Sequence, residues 1–195
     1  MKNYKLFVLL PVMFLLTGSS VMVNAQVIKG TFRLGPEVNF SAATSEIDEL
    51  DLKVKNSELE LTLEAGYYFI DNLEFGLALA ITRSQTEVDN FEETSSGLAI
   101  GPHIEYKIGV GNGFYIPVGA GFAYSTITNE DDSGDELTFS GIGYGLFTGV
   151  EYIVNNKLGV HLTVGPNFGS LKDDVSDQEI DVTNIGIGMG FSFYF

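Results

Sequence analysis

Residues 184–195 read N-I-G-I-G-M-G-F-S-F-Y-F and alternate without a break. Ile185, Ile187, Met189, Phe191, Phe193 and Phe195 share one parity, and Asn184, Gly186, Gly188, Gly190, Ser192 and Tyr194 the other. A period of two belongs to a β-strand, whose successive side chains leave opposite faces of the sheet. One face is bulky and apolar, the other small or polar. A strand this apolar must be covered by a core or by lipid, and the rest of the chain decides which.

The pattern recurs upstream. Strands are expected over residues 28–40, 58–70, 73–82, 96–108, 114–126, about 140–153 and 158–168, which with 184–195 makes eight. In the third, Leu73, Phe75, Leu77, Leu79 and Ile81 oppose Glu74, Gly76, Ala78, Ala80 and Thr82. The sixth starts less cleanly, because Leu137 and Phe139 have the wrong parity, and a β-bulge there is expected to absorb the slip. Asp71-Asn72, residues 109–113 and Asn155-Asn156 carry tight-turn residues. The other connections, 41–57, 83–95, 127–136 and 169–180, are polar and read as long acidic loops. Connections therefore alternate long and short, leaving both chain ends on the short-turn side.

An all-β, eight-stranded, up-and-down antiparallel barrel fits this order. A soluble barrel with an apolar interior would need a polar outer face on every strand. Here the weaker face is mostly Gly and Ala, which would solvate poorly but can line a narrow lumen filled by Arg33, Tyr68, Tyr115, Phe147 and Tyr194. Aromatic residues of the apolar face also gather at strand ends. Tyr67, Phe69, Phe75, Tyr106, Phe114, Tyr152, Phe193 and Phe195 lie at the short-turn end, and Phe40, Phe122, Tyr124 and Phe168 at the other. Two aromatic girdles around an aliphatic band are the mark of a transmembrane barrel.

The N-terminus agrees. Lys2 and Lys5 precede an apolar run, 6–16, and Val23-Asn24-Ala25 fits a small-x-small cleavage site. The run is shorter than the roughly 20 residues of a spanning helix. Residues 1–25 therefore read as a cleaved secretory signal peptide, with the barrel domain over 26–195. Ser19 stands where a lipidated Cys would be, so no lipoprotein is expected. With no Cys there is neither disulfide nor thiol chemistry. A formal net charge of −16 argues against nucleic acid as a partner.

The signal peptide, the eight alternating strands and terminal Phe195 resemble the small outer-membrane β-barrel family that includes the OmpA barrel domain, OmpX and opacity proteins. The glycine-rich style with acidic loops is similar to the porin-family β-barrel proteins of Bacteroidetes. The resemblance covers 26–195 and rests on pattern, without an active-site motif. It implies the outer membrane, with lipid and lipopolysaccharide around the barrel. It also implies that Phe193, Tyr194 and Phe195 form the terminal signal read by the barrel-assembly machinery.

By parity the lumen receives Lys29, Arg33, Glu37, Glu60, Glu64, Glu74, Glu105, Lys107 and Glu151. A charge network holding the barrel together is expected, because eight strands enclose only side-chain space and buried charges need partners. The alternative is a narrow ion gate. His103 and His161 also have inward parity, without a recognisable third ligand. The resemblance extends to barrel lipid A deacylases, which use a lipid-facing Ser–His pair, and no His here has outward parity. Omptin-like proteases have ten strands. The acids of 129–136 could take Ca²⁺ or Mg²⁺ but lack EF-hand spacing. No cofactor, metal or catalytic residue is expected. The chain reads as a non-enzymatic structural or surface-interaction protein that binds any partner through 41–57, 83–95, 127–136 and 169–180.

Overall fold

A computed structural model describes residues 27–47, 52–88, 91–130, 136–154, 156–173 and 179–195. The proposed signal peptide and most of the acidic stretch 129–136 lie outside them. The described chain forms eight strands: β1 Phe32–Ile47, β2 Leu52–Ile70, β3 Leu73–Val88, β4 Phe91–Gly111, β5 Phe114–Glu130, β6 Glu136–Val154, β7 Leu158–Asp173 and β8 Glu179–Tyr194. They pair in sequence order and close into a barrel, with β1 antiparallel to β8 from Arg33↔Tyr194 to Phe40↔Ile187.

Each short turn is set by local chemistry. Asn72, Asn112 and Asn156 have φ of 64°, 54° and 56°, a left-handed conformation that Asn accepts more readily than most residues. At Asn112-Gly113 both central φ values are positive, as in the type I′ turn that matches strand twist.

The strands are longer than the sequence suggests, at 16 to 21 residues, whereas roughly 9–11 tilted residues cross a bilayer. Segments read as long loops are largely paired strand. Ser41 through Ile47 pair with Glu58 through Leu52, Arg83 through Val88 with Ser96 through Phe91, and Lys172 with Glu179. The reason is physical. Loss of an apolar face marks where lipid ends, but the backbone ladder needs no apolar side chains and continues into water as polar hairpins. The bulge expected near Leu137 and Phe139 is also absent. The β5–β6 register runs unshifted from Glu130↔Glu136 to Phe114↔Tyr152, so both residues lie on the lumen parity of the projecting part.

The barrel is inside out relative to a soluble protein. Leu77, Ile100, Leu146 and Leu162 are 55%, 54%, 56% and 54% exposed, whereas Arg33, Glu74 and Glu151 are buried. Such a continuous apolar band has to meet lipid. Replacing Leu79, outward-facing near mid-band, with Arg is therefore expected to cost about 2–4 kcal/mol in bilayers. Urea titration in lipid vesicles measures this, and no loss would put Leu79 away from the hydrocarbon.

Candidate functional site

The buried charges form one band in the lumen near the short-turn end. Its hub is Arg33 on β1. Arg33 Nε donates to Glu74 Oε2 at 2.8 Å, and Nη2 donates to Glu74 Oε1 and to Glu64 Oε2, each at 2.8 Å. Its reach follows from register. Arg33 pairs with Gly66, Gly66 with Gly76 and Gly76 with His103, so two residues without side chains stand between Arg33 and His103. A Cβ at Gly66 would collide with the Glu74 carboxylate, and one at Gly76 with the His103 ring. The glycines thus make the space that the ion pair occupies. His103 Nε2 lies 3.1 Å from Glu74 Oε1 and 3.4 Å from Arg33 Nη2.

A second cluster surrounds Lys107 on β4. Its Nζ donates to Glu151 Oε2 and stands 2.9 Å from Glu105 Oε1, an ion pair without hydrogen-bond alignment. Tyr194 Oη donates to Glu151 Oε1 at 2.5 Å, and the Tyr194 ring lies under the ammonium at 5.8 Å.

A polar string climbs from the hub. Arg33 Nη1 donates to Ser192 Oγ at 3.5 Å, Ser192 Oγ is 3.2 Å from His161 Nδ1, and His161 Nε2 is 2.8 Å from Glu37 Oε2. Higher still, Asn39 Nδ2 and Thr62 Oγ1 donate to Glu60 Oε1 at 3.0 and 2.9 Å.

Below the charges lies an apolar floor of Val27, Tyr68, Tyr115, Ile153 and Tyr194. Val27 precedes β1 and is clamped to the β2–β3 turn. Its N–H donates to Asn72 Oδ1 and its carbonyl accepts from Asn72 N–H, both at 2.8 Å. Lys29 does not join the charge network: it sits before β1, exposed, with its backbone N–H donating to Asp71 Oδ1 at 2.7 Å. Parity fails there because Gly30, at φ 94°, turns the chain before the strand begins. Arg33, Glu64, Glu74, Glu105, Lys107 and Glu151 meet in the two clusters, and Glu60 lies above them.

Above the band the lumen opens into a cavity of about 160 Å³ bordered by Glu37, Glu58, Glu60 and Glu64. Among the described residues, no group of three or more His, Asp or Glu side chains is arranged to hold a metal ion. At the C-terminal end Phe193 and Phe195 face outward and Tyr194 inward. Phe32 N–H donates to Phe195 O at 3.1 Å and Phe195 N–H to Phe32 O at 2.9 Å.

Sequence parity places the interior groups but cannot pair them. Glu37 and His161 belong to β1 and β7 and meet only because the barrel closes through β8. The floor residues Val27 and Ile153 carry no sequence signal beyond hydrophobicity.

The sequence matches the family model for the outer membrane protein beta-barrel domain over residues 12–193. No curated protein matches it. Among solved structures, Neisserial surface protein A is similar at 17% identity and a TM-score of 0.60, over 88% of this chain and 100% of that one. OprG of Pseudomonas aeruginosa is similar at 17% identity and 0.60, over 86% and 97%. Ail, the attachment invasion locus protein of Yersinia pestis, is similar at 11% identity and 0.51, over 86% and 99%. At these identities the likeness concerns the fold.

Proposed function

Since the chain belongs to the outer membrane protein β-barrel domain family, and so to the outer membrane, we propose that it is a closed, non-enzymatic scaffold whose projecting hairpins rather than its lumen meet partners. One observation carries this reading. The buried Arg33–Glu74 and Lys107–Glu151 pairs, with the floor of Val27, Tyr68, Tyr115, Ile153 and Tyr194 beneath them, occupy the lumen near the short-turn end. Displacing a buried ion pair strands a charge at several kcal/mol, so a resting pore is disfavoured.

The order Ser192–His161–Glu37 has the composition of a hydrolytic triad, but the serine is fully buried and does not border the cavity. A nucleophile must reach its substrate, so these contacts serve connectivity. The signal peptide directs export and is removed by cleavage after Ala25, so that the mature chain begins at Gln26, and the barrel-assembly machinery reads Phe193, Tyr194 and Phe195.

Planar-bilayer recording of the refolded protein is the test. No steady conductance is expected on the scale of a 16-stranded porin, and a large steady current would overturn the closed reading. A narrow gated path is the second reading, favoured by the carboxylate-lined cavity above the plug. It requires small flickering currents that change when Arg33 is replaced.

A further inference from the structure

Over β1 to β4 the apolar band ends in a row that carries one cation. Cross-strand register aligns Phe40 of β1 with Leu59 of β2, Leu59 with Arg83 of β3, and Arg83 with Ser96 of β4. All four face outward and are exposed. The row beneath, Val38, Leu61, Ile81 and Leu98, is wholly apolar, and the row above carries Ser57, Gln85 and Thr94. Arg83 thus stands on the boundary where hydrocarbon gives way to polar headgroups, on the side of the projecting hairpins.

What sets Arg83 apart is the lack of an acid beside it. In the projecting strands Lys53 is in register with Glu46, Lys55 with Glu87 and Lys172 with Glu179. Arg83 has Leu59 on one side and Ser96 on the other, and it makes no ion pair among the described residues. It borders a groove of about 300 Å³ shared with Phe40, Leu59, Ser57, Gln85 and Thr94. Glu58 also touches this groove, but it has lumen parity and lines the inner cavity.

We propose that this groove holds the phosphate-bearing headgroup of an outer-leaflet lipid, with Arg83 as its cation. Charge decides the occupant. A guanidinium at the edge of hydrocarbon loses part of its hydration and needs a counter-charge, and its register neighbours supply none. Its planar fork of donors fits two phosphate oxygens at once. Ser57, Gln85 and Thr94 add neutral polar groups around it, while Phe40 and Leu59, with Ile81 one row below, offer an apolar wall to the acyl chains. Free phosphate would meet Arg83 but gain nothing from that wall. At a net charge of −16 the protein as a whole repels anionic lipid, so an unopposed Arg at headgroup height fixes where an anionic head settles. The site depends only on the outer-membrane setting of the family, and not on what the hairpins or the lumen do.

The test uses the full mature barrel refolded in neutral detergent micelles, with native mass spectrometry counting bound lipid. The probes are bisphosphorylated lipid A, the same lipid dephosphorylated, and inorganic phosphate. Arg83→Gln is expected to weaken lipid A binding about tenfold, through loss of a charge-assisted contact. Arg83→Lys keeps the charge without the fork and should fall between wild type and Arg83→Gln. Lys172→Gln, at a cation already in register with an acid, should leave binding unchanged. Dephosphorylating the lipid should cost the wild type about as much as Arg83→Gln does. Arg83 is exposed, so these changes spare the buried network, and heat-modifiable gel mobility checks folding. Equal binding by wild type and Arg83→Gln, an equal loss in Lys172→Gln, or indifference to dephosphorylation would each overturn the site. Inorganic phosphate binding as tightly as lipid A would overturn the lipid as its occupant.

Discussion

Arg33→Met destabilises the barrel by about 3–5 kcal/mol, the range expected when one member of a buried ion pair is removed. The size comes from what is left behind. Glu74 is fully buried and takes its ion pair from Arg33, with the His103 ring 3.1 Å away, while Glu64 loses the guanidinium 2.8 Å away. The band is already rich in carboxylates, and among the described residues no spare cation lies in it, since Lys107 is held by Glu105 and Glu151. Coupling is the sharper criterion. Because the residues act as one network, Arg33→Met with Glu74→Met should cost less than the sum of the single changes. Denaturant unfolding in detergent micelles, followed by tryptophan-independent far-UV signal and by heat-modifiable gel mobility, measures both. Additive losses, or a single-variant cost below about 1 kcal/mol, typical of exposed pairs, would show that the pairs are solvated and that the lumen is wet.

Deleting Phe195 lowers surface assembly in cells more than it lowers the stability of the refolded barrel. The intrinsic cost is larger than that of a rim aromatic alone, because Phe195 exchanges two backbone hydrogen bonds with Phe32 and its ring lies 6.5 Å from the Phe32 ring. Two net hydrogen bonds of about 0.5–1.5 kcal/mol each put the loss at about 1–3 kcal/mol, the outward-facing ring being 76% exposed. In the proposed assembly role the residue is needed before closure, so the cellular loss exceeds this. Gly188→Asp is the control. Its new side chain would press on Glu37, Asn39 and Thr163, crowding the lumen with a carboxylate while leaving the terminus intact. It should impair refolding and assembly alike. If the Phe195 deletion also fails equally in refolding and in protease-protection assays on cells, the residue is structural and carries no separate signal.

The spanning part of the fold is legible because lipid enforces a strict division. Leu77 and Leu79 must face out and Ala78 must face in, so each strand announces its own period. Pairing by sequence order then follows from alternate connections short enough to make hairpins. Legibility ends where lipid ends. Residues 41–47 and 83–88 keep a ladder without keeping an apolar face, and they read as loops. The interior is half legible. Parity assigns Arg33, Glu74 and Lys107 to the lumen, but which carboxylate meets which cation depends on stagger between strands. Contacts such as Glu37 with His161 arise only when the sheet has closed. Lys29 fails for a local reason, since one left-handed glycine is enough to cancel parity counted back from β1.

The hydrogen bonds between Phe32 and Phe195 have a consequence for connectivity. Seven of the eight ladders join neighbours in sequence, and the remaining one, β1 with β8, joins the two ends of the fold. That single interface supplies the far-separated contacts that slow folding, since its closure must follow the seven local ones. With the chain ends already side by side, the barrel is a ring whose starting point is arbitrary. A short linker from Phe195 to Val27 and a cut at Asn112-Gly113 would make a circular permutant with every ladder retained, in which the last interface to close becomes a local one.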